Sequence, residues 1–91
     1  MDDQATIATD ILARYAADAA REVEGVRAVA GRRGVRISGK EAIRIEIHVV
    51  VARGVSVPAL GRAVQARVRE YLSSMADVEP ASVDIVVDSL E

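Results

Sequence analysis

Cysteine, tryptophan and phenylalanine are absent from the chain, and its only aromatic residues are Tyr15 and Tyr71. The lack of cysteine excludes a disulfide framework and a thiolate zinc site. Aromatic residues make up 2% of the chain, so the stacking platforms on which many proteins bind single-stranded nucleic acid are missing. The core must therefore be built from valine, isoleucine, leucine and alanine, and backbones are expected to approach closely where the alanines cluster.

Long apolar runs are also absent. No run approaches the ~20 residues that span a bilayer, and the chain begins Met1-Asp2-Asp3, where a secretory signal would be basic and then apolar. Both observations predict a soluble, intracellular protein. The length of 91 residues predicts a single domain over 1–91 with an ordered core over about 7–88, which buries roughly 60% of the surface that the unfolded chain exposes.

Charge is nearly balanced in sum but uneven along the chain. The net charge of −2 is too close to zero for a general nucleic-acid binder. The basic residues of the first half include Arg27, Arg32, Arg33 and Arg36, and the acidic C-terminal end includes Asp84, Asp88 and Glu91. Contact between these two groups in different copies would be heterologous and would propagate as a ring or filament. Direct attraction of the arginines to anionic lipid would be weak, at ~1 kcal/mol per basic residue.

Two segments have the three- and four-residue periodicity of amphipathic helices. The first is expected to begin at Thr9, a good N-cap, and to end at Gly25. Its apolar stripe comprises Ile11, Leu12, Tyr15, Ala16, Ala19 and Val23. The second follows Pro58, and its stripe comprises Leu60, Val64, Val68, Leu72 and Met75. Residues 5–8, before the first helix, are expected to form a short N-terminal edge strand.

Four segments have strand character. Segments 26–30 and 34–38 flank Gly-Arg-Arg-Gly, which predicts a short, basic hairpin. Segment 42–52 alternates along its length, with Ile43, Ile45, Ile47, Val49 and Val51 on one side and Arg44, Glu46, His48 and Val50 on the other, as in a sheet with one covered face. Segment 82–88 follows a strand and a helix, so it should run parallel to the long strand. The predicted fold is a two-layer α+β sandwich of order α-β-β-β-α-β, with both helices on one face of a small mixed sheet.

The segment Val-Val-Val-Ala-Arg-Gly-Val-Ser-Val-Pro, 49–58, raises the question of an anion site, because helix N-termini bind anions. A phosphate loop would have several glycines and a lysine at the helix start, and this segment has neither. We interpret it as a structural joint in which Gly54 turns the chain off the sheet, Ser56 caps the helix and Pro58 fixes its first turn. Gly25 serves the same purpose after the first helix, and Val55 and Val57 are expected to anchor the corner in the core.

The remaining candidates for chemistry have simpler explanations. His48 is the only histidine; it alternates onto the outward face beside Glu46, and a surface or structural role is expected. Asp84 and Asp88 lie roughly 13 Å apart if extended, which favours a docking edge over a paired-carboxylate site. The Gly-Arg-Arg-Gly segment resembles the GXXG loop of KH domains, but that loop joins two helices rather than two strands. We therefore predict no enzyme activity and no catalytic, metal or cofactor-binding residues.

Several segments together carry a family resemblance. They are Glu-Val-Glu-Gly-Val at 22–26, the alternating strand 43–51, Gly-Val-Ser-Val-Pro at 54–58, Val64-Gln65 with Val68, and the closing strand 83–88. In this order they resemble the alkaline shock protein or Gls-type general stress family of bacterial envelope stress response proteins, over 7–88. Ala52-Arg53 departs from that pattern, because many relatives have an acidic or aromatic residue just before the junction glycine.

The resemblance implies a small, non-enzymatic, cytoplasmic scaffold or adaptor. Some family members are held under the cytoplasmic membrane by a separate anchor protein, and some self-associate. The implied partners of this chain are thus other copies of itself and a membrane-anchored protein, with localisation at the inner face of the cell membrane through that partner. The alternative is a small nucleic-acid-binding module that uses the basic hairpin with Arg27, Arg32, Arg33 and Arg36.

Overall fold

The computed structural model describes residues 2–30 and 34–91, with residues 2–8 as backbone only. Its elements are α1 (Asp2–Arg21), β1 (Val26–Val29), β2 (Val35–Ser38), β3 (Arg44–Val51), α2 (Val57–Ala76) and β4 (Ser82–Leu90). The predicted order α-β-β-β-α-β and the α+β class are confirmed.

The first helix begins at Asp2, well before Thr9. The predicted edge strand over 5–8 is therefore wrong, and Thr9 lies inside the helix rather than at its N-cap. The sequence Asp-Asp-Gln-Ala at the start of α1 explains this: two acidic residues favour the positive end of a helix, and glutamine and alanine are strong helix formers. α1 ends at Arg21, and a turn leads to Gly25, whose φ is 100°.

The sheet is organised around β3. β4 lies parallel to β3 along one side over the full length of β3. β1 and β2 share the other side and are both antiparallel to β3, with Val26 opposite Val51 and Val35 opposite Ile47. The predicted mixed sheet and the parallel pairing of the last strand with the long strand are confirmed.

The predicted basic hairpin is wrong, because β1 and β2 pair with β3 and not with each other. The Ala30 N–H donates to the His48 carbonyl (2.8 Å), and the His48 N–H donates to the Gly34 carbonyl (2.7 Å). The chain thus leaves the edge of β3 after β1 and rejoins it before β2. Eight residues of β3 are enough to pair in line with two strands of four residues each. Residues 31–33, which include Arg32 and Arg33, lie outside the described residues.

Both helices cover the same face of the sheet. The buried residues come from α1 (Ala16, Ala17, Ala19, Ala20), from α2 (Leu60, Val64, Val68, Leu72) and from the strands (Val29, Ile45, Ile47, Val49, Val51, Val83). The four alanines of α1 let its backbone approach the sheet and α2 closely. Tyr15 and Tyr71 meet edge to face between the helices, with ring centroids 5.8 Å apart. Ile11 and Met75, at the outer ends of the predicted stripes, are exposed.

The joint before α2 has a defined geometry. Gly54 has a φ of 89°, and the Ser56 hydroxyl accepts a hydrogen bond from the Ala59 N–H at 3.4 Å. Pro58 lies in the first turn of α2, where its missing N–H costs no helical hydrogen bond. Val55 packs against the core, but Val57 is 39% exposed, so the expectation that it anchors the corner is wrong.

Candidate interaction surface

The helices leave one face of the sheet uncovered, and we call it the open face. Its residues are those that alternate with the buried ones: Arg36 and Ser38 on β2; Arg44, Glu46, His48 and Val50 on β3; and Asp84, Val86 and Asp88 on β4. Most of them are polar, because strand alternation directs them to solvent while their neighbours are buried. The open face is thus a charged surface.

Charges of both signs form a row across this face. Arg36 is directly opposite Glu46, and Glu46 is directly opposite Asp84. With Arg44, these residues border a shallow cavity of about 380 Å³. Arg36 and Glu46 attract one another, contributing roughly 0.2–1 kcal/mol, whereas Glu46 and Asp84 are like charges whose opposition is unfavourable. The row ends in a basic side chain at the β2 edge of the sheet and an acidic one at the β4 edge.

His48 lies at the centre of the face between two carboxylates. Its Nε2 is 2.7 Å from Glu46 Oε2 and its Nδ1 is 2.8 Å from Asp88 Oδ1. Glu46 shares the face because it is two residues away in the same strand. Asp88 reaches the ring from β4, which pairs with β3 and shifts register between Val49 and Val50. The hydrogen bonds to Glu46 and then Asp88 raise the pKa of His48 above 6.5.

This cluster is built to hold a proton rather than a metal ion. The two ring nitrogens of an imidazole point in opposite directions, so the carboxylates lie on opposite sides of the ring and cannot converge on one cation with it. Within residues 9–30 and 34–91, whose side chains the structure describes, no three histidine, aspartate or glutamate side chains form a group that could hold a metal ion. When it is protonated, the ring donates to both carboxylates and offsets one of their two negative charges.

We expect the stability of the protein to fall as the pH rises through the raised pKa of His48. Because this pKa is higher in the folded state, the contribution is complete below pH 6.5, the unfolded value, and is lost above the folded value. Urea unfolding between pH 6 and pH 9 should show a decline in the free energy of unfolding that His48→Gln removes. The Asp84→Asn variant, which alters a carboxylate on the same face, should keep the decline. Identical pH profiles for the protein and the His48→Gln variant would contradict this assignment.

The predicted interaction residues lie on opposite edges of the sheet. Arg27 and Arg36 are exposed on β1 and β2, and Asp84 and Asp88 are exposed on β4. β3 separates the two groups within one molecule. Asp84 and Asp88 also have different neighbours, since Asp84 is opposite Glu46 and Asp88 contacts His48.

Among the contacts that were not predicted from the sequence, two join charged side chains from separate parts of the chain. One is the His48–Asp88 contact between β3 and β4. The other is centred on Arg67 of α2, whose Nε and Nη2 donate to Glu22 Oε1 at 2.9 and 2.6 Å, while its guanidinium lies 5.4 Å from the Tyr71 ring centroid. The spacing of Arg67 and Glu70 was visible as a helical i,i+3 pair, but no sequence signal marks Glu22 as a partner.

Comparison with known proteins gives a family and a fold. The model of the alkaline shock protein family, described as having a cell envelope-related function, matches residues 30–91. No curated protein matches the chain.

Similar solved structures include a variant of the MamM C-terminal domain (17% identity, TM-score 0.62, covering 90% of this chain and 98% of that one). A cadmium form of another variant has 18% identity, a TM-score of 0.62 and coverages of 91% and 99%. A nickel form has 17% identity, a TM-score of 0.62 and coverages of 90% and 99%. At such low identity, these structures indicate a shared fold.

Proposed function

The chain belongs to the alkaline shock protein family, whose function is described as cell envelope-related, and on this premise we propose that it is a non-catalytic adaptor of the cell envelope. It associates with other copies of itself and docks onto a membrane-anchored protein at the inner, cytoplasmic face of the cell membrane. This proposal is supported by the family match together with the open face, which is the charged side of the sheet that the helices do not cover.

The family match and the open face coincide. The matched segment, 30–91, contains β2, β3, α2 and β4. It therefore includes every charged residue of the open face, among them Arg36, Glu46 and Asp84. A surface of mixed charge suits reversible contact with a protein, because such contacts gain specificity from complementary charges rather than from large apolar area.

A protein anchor explains membrane association better than direct lipid contact. No helix in the described part of the chain is long and apolar enough to cross a membrane. The open face carries the carboxylates of Glu46, Asp84 and Asp88 beside Arg36 and Arg44. These acidic groups repel anionic headgroups and offset the weak attraction of the arginines.

The same arrangement counts against the nucleic-acid alternative. Arg36 is opposite Glu46 and in one row with Asp84, so a phosphate at this position would meet negative charge. A binder that neutralised four phosphates would show a log-log salt slope of roughly −3 to −4, and we expect no such binding.

Affinity capture from membranes of the native host tests the adaptor proposal. The tagged chain should retain a membrane protein after detergent extraction. Arg44→Glu, which reverses a charge on the open face at the start of β3, should reduce the recovery of that protein, whereas Arg53→Glu, in the turn after β3, should not. Recovery of the chain only as a free monomer, with no membrane protein in either case, would overturn the proposal.

A further inference from the structure

The outer side of β4 is a free sheet edge. β4 has nine residues without proline, and within the described residues its only strand partner is β3. Val86 and Leu90 are 37% and 47% exposed. Natural proteins usually protect a long edge strand with lysine, proline or a covering segment, because its unpaired backbone groups are a template for another strand. Over residues 82–87, before the register shift at Asp88, the edge is unbroken and partly apolar, which points to a strand that it binds.

The residue pattern of β4 repeats that of β3. In their parallel register, Ile45 is beside Val83, Glu46 beside Asp84 and Ile47 beside Ile85. Both strands thus present apolar, acidic and apolar residues in the same order and direction. β2 already binds this pattern on β3, with Ile37 opposite Ile45, Arg36 opposite Glu46 and Val35 opposite Ile47. The free edge of β4 offers a second copy of the surface that β2 recognises.

We infer that β4 of one copy pairs antiparallel with β2 of the next copy. In this register Arg36 of the next copy is opposite Asp84, Val35 is opposite Ile85 and Ile37 is opposite Val83. The apolar residues then face the helices of both copies, and the arginine meets the aspartate on the continuous open face. This inference rests on the self-association in the proposed function and names its interface.

The outer backbone N–H and carbonyl groups of β2 and β4 are oriented for this pairing. The His48 N–H and carbonyl form hydrogen bonds on the β1 and β2 side of β3, so by alternation the backbone groups of Glu46 also point toward β2. The backbone groups of its partner Arg36 point toward β3, and those of Val35 and Ile37 therefore point to the outer side of β2. On β4, the Val83 carbonyl accepts from Gln65 Nε2 at 2.9 Å, so it points away from β3. The N–H of the incoming Ile37 takes the place of the Gln65 amide.

A groove flanks each of the two edges beneath the helices. The groove beside β4 has a volume of about 300 Å³ and is bordered by Gly61, Gln65, Ile85 and Val87 among others. A side chain at Gly61 would meet nothing within 4 Å, so α2 leaves room there. The groove at the opposite edge, about 680 Å³, includes Val35. Edge pairing brings the two grooves together and covers the apolar residues of both.

The contact is heterologous, so it leaves one free edge at each end of the assembly. Each copy uses its β4 edge for one neighbour and its β2 edge for the other. The helices of successive copies stay on the same side because β4 is parallel to β3 and β2 is antiparallel to it. The product is an open-ended ribbon or a ring in which the open faces form one surface.

Charge-reversal variants test the pairing by sedimentation velocity of the purified chain at high concentration and low salt. Asp84→Arg and Arg36→Asp should each weaken association about tenfold, because an attractive pair becomes a like-charged one. The double variant should regain association, and so should a mixture of the two single variants, since each retains the edge that the other lacks. Glu41→Arg and Arg53→Asp, which make the same charge changes in turns, should behave like the unaltered chain. Circular dichroism should confirm that each variant is folded.

The remaining outcomes overturn the inference in recognisable ways. Association that Asp84→Arg and Arg36→Asp leave unchanged would refute this interface and leave self-association standing. Loss with Asp84→Arg but not with Arg36→Asp would indicate that two β4 strands pair with each other. A strict monomer at every concentration would refute self-association itself, whereas the docking part of the proposed function is decided separately by capture of the membrane protein.

Discussion

Replacing Gly25 with alanine is expected to lower the free energy of unfolding by about 2–4 kcal/mol. Gly25 has a φ of 100°, a backbone conformation that residues with a Cβ rarely adopt. A Cβ at this position would lie 2.8 Å from Leu60 Cδ1 and 3.2 Å from Val55 Cγ1. The turn after α1 would have to move away from the start of α2. Chemical unfolding monitored by circular dichroism measures the loss.

Gly61→Ala is the matched control for this prediction. Gly61 lies within α2, and a Cβ there would meet nothing within 4 Å. Alanine is the better helix former by about 0.5–1 kcal/mol, so this variant should be more stable than the unaltered chain. Equal effects of the two substitutions would mean that the conformation of Gly25 and its contact with Leu60 are not what holds the joint together.

Replacing Ile47 with alanine is expected to cost about 2–5 kcal/mol. Ile47 is fully buried at the centre of β3, where the sheet meets both helices. The substitution removes apolar contacts and leaves a cavity that a domain with so few aromatic side chains has little means of filling. For a domain of this size, such a loss is a large fraction of the total stability. The midpoint of urea unfolding should fall accordingly.

Val86→Ala provides the comparison on the other face. Val86 is 37% exposed on the open face, so its truncation should change the free energy of unfolding by no more than about 0.5 kcal/mol. Similar losses at Ile47 and Val86 would indicate that the face we call open is covered in solution. Covering by other copies would then depend on protein concentration, which dilution tests directly.

The sequence was sufficient to predict the parts of the fold that depend on periodicity. The alternation around Ile45 and Ile47 correctly identified the covered face of β3, and the helix after Pro58 implied the parallel pairing of β4. These predictions succeed because burial of one face is the dominant energy in each element. The family resemblance, which rested on segments spread from Glu22 to Asp88, was confirmed by the family match over 30–91.

The errors arose where local signals competed with long-range pairing. Glycines around Arg32 and Arg33 indicate a turn, but they do not reveal that β3 is long enough to pair with both flanking strands. Thr9 is a good N-cap in isolation, yet the preceding residues continue the helix. Asp88 meets His48 across the pairing of β3 with β4, where the register shifts between Val49 and Val50, and no periodicity encodes such a shift.

The two proposed contacts use different surfaces of one domain. The edges formed by β2 and β4 join copies, and the open face remains available to another protein. A row of copies would repeat the open face at regular intervals, which strengthens binding to a partner that is itself clustered in a membrane, because several weak contacts act together. In each copy, His48 lies at the centre of the open face, between Glu46 and Asp88.

Fractionation of native host cells tests the central claim most directly. The membrane fraction is solubilised with mild detergent, and the size of the particles that contain the chain is measured by sedimentation. We expect the chain to be recovered with the membranes and released in particles that contain several copies together with a membrane protein. Recovery of the chain only in the soluble fraction, as a free monomer at every concentration, would contradict it.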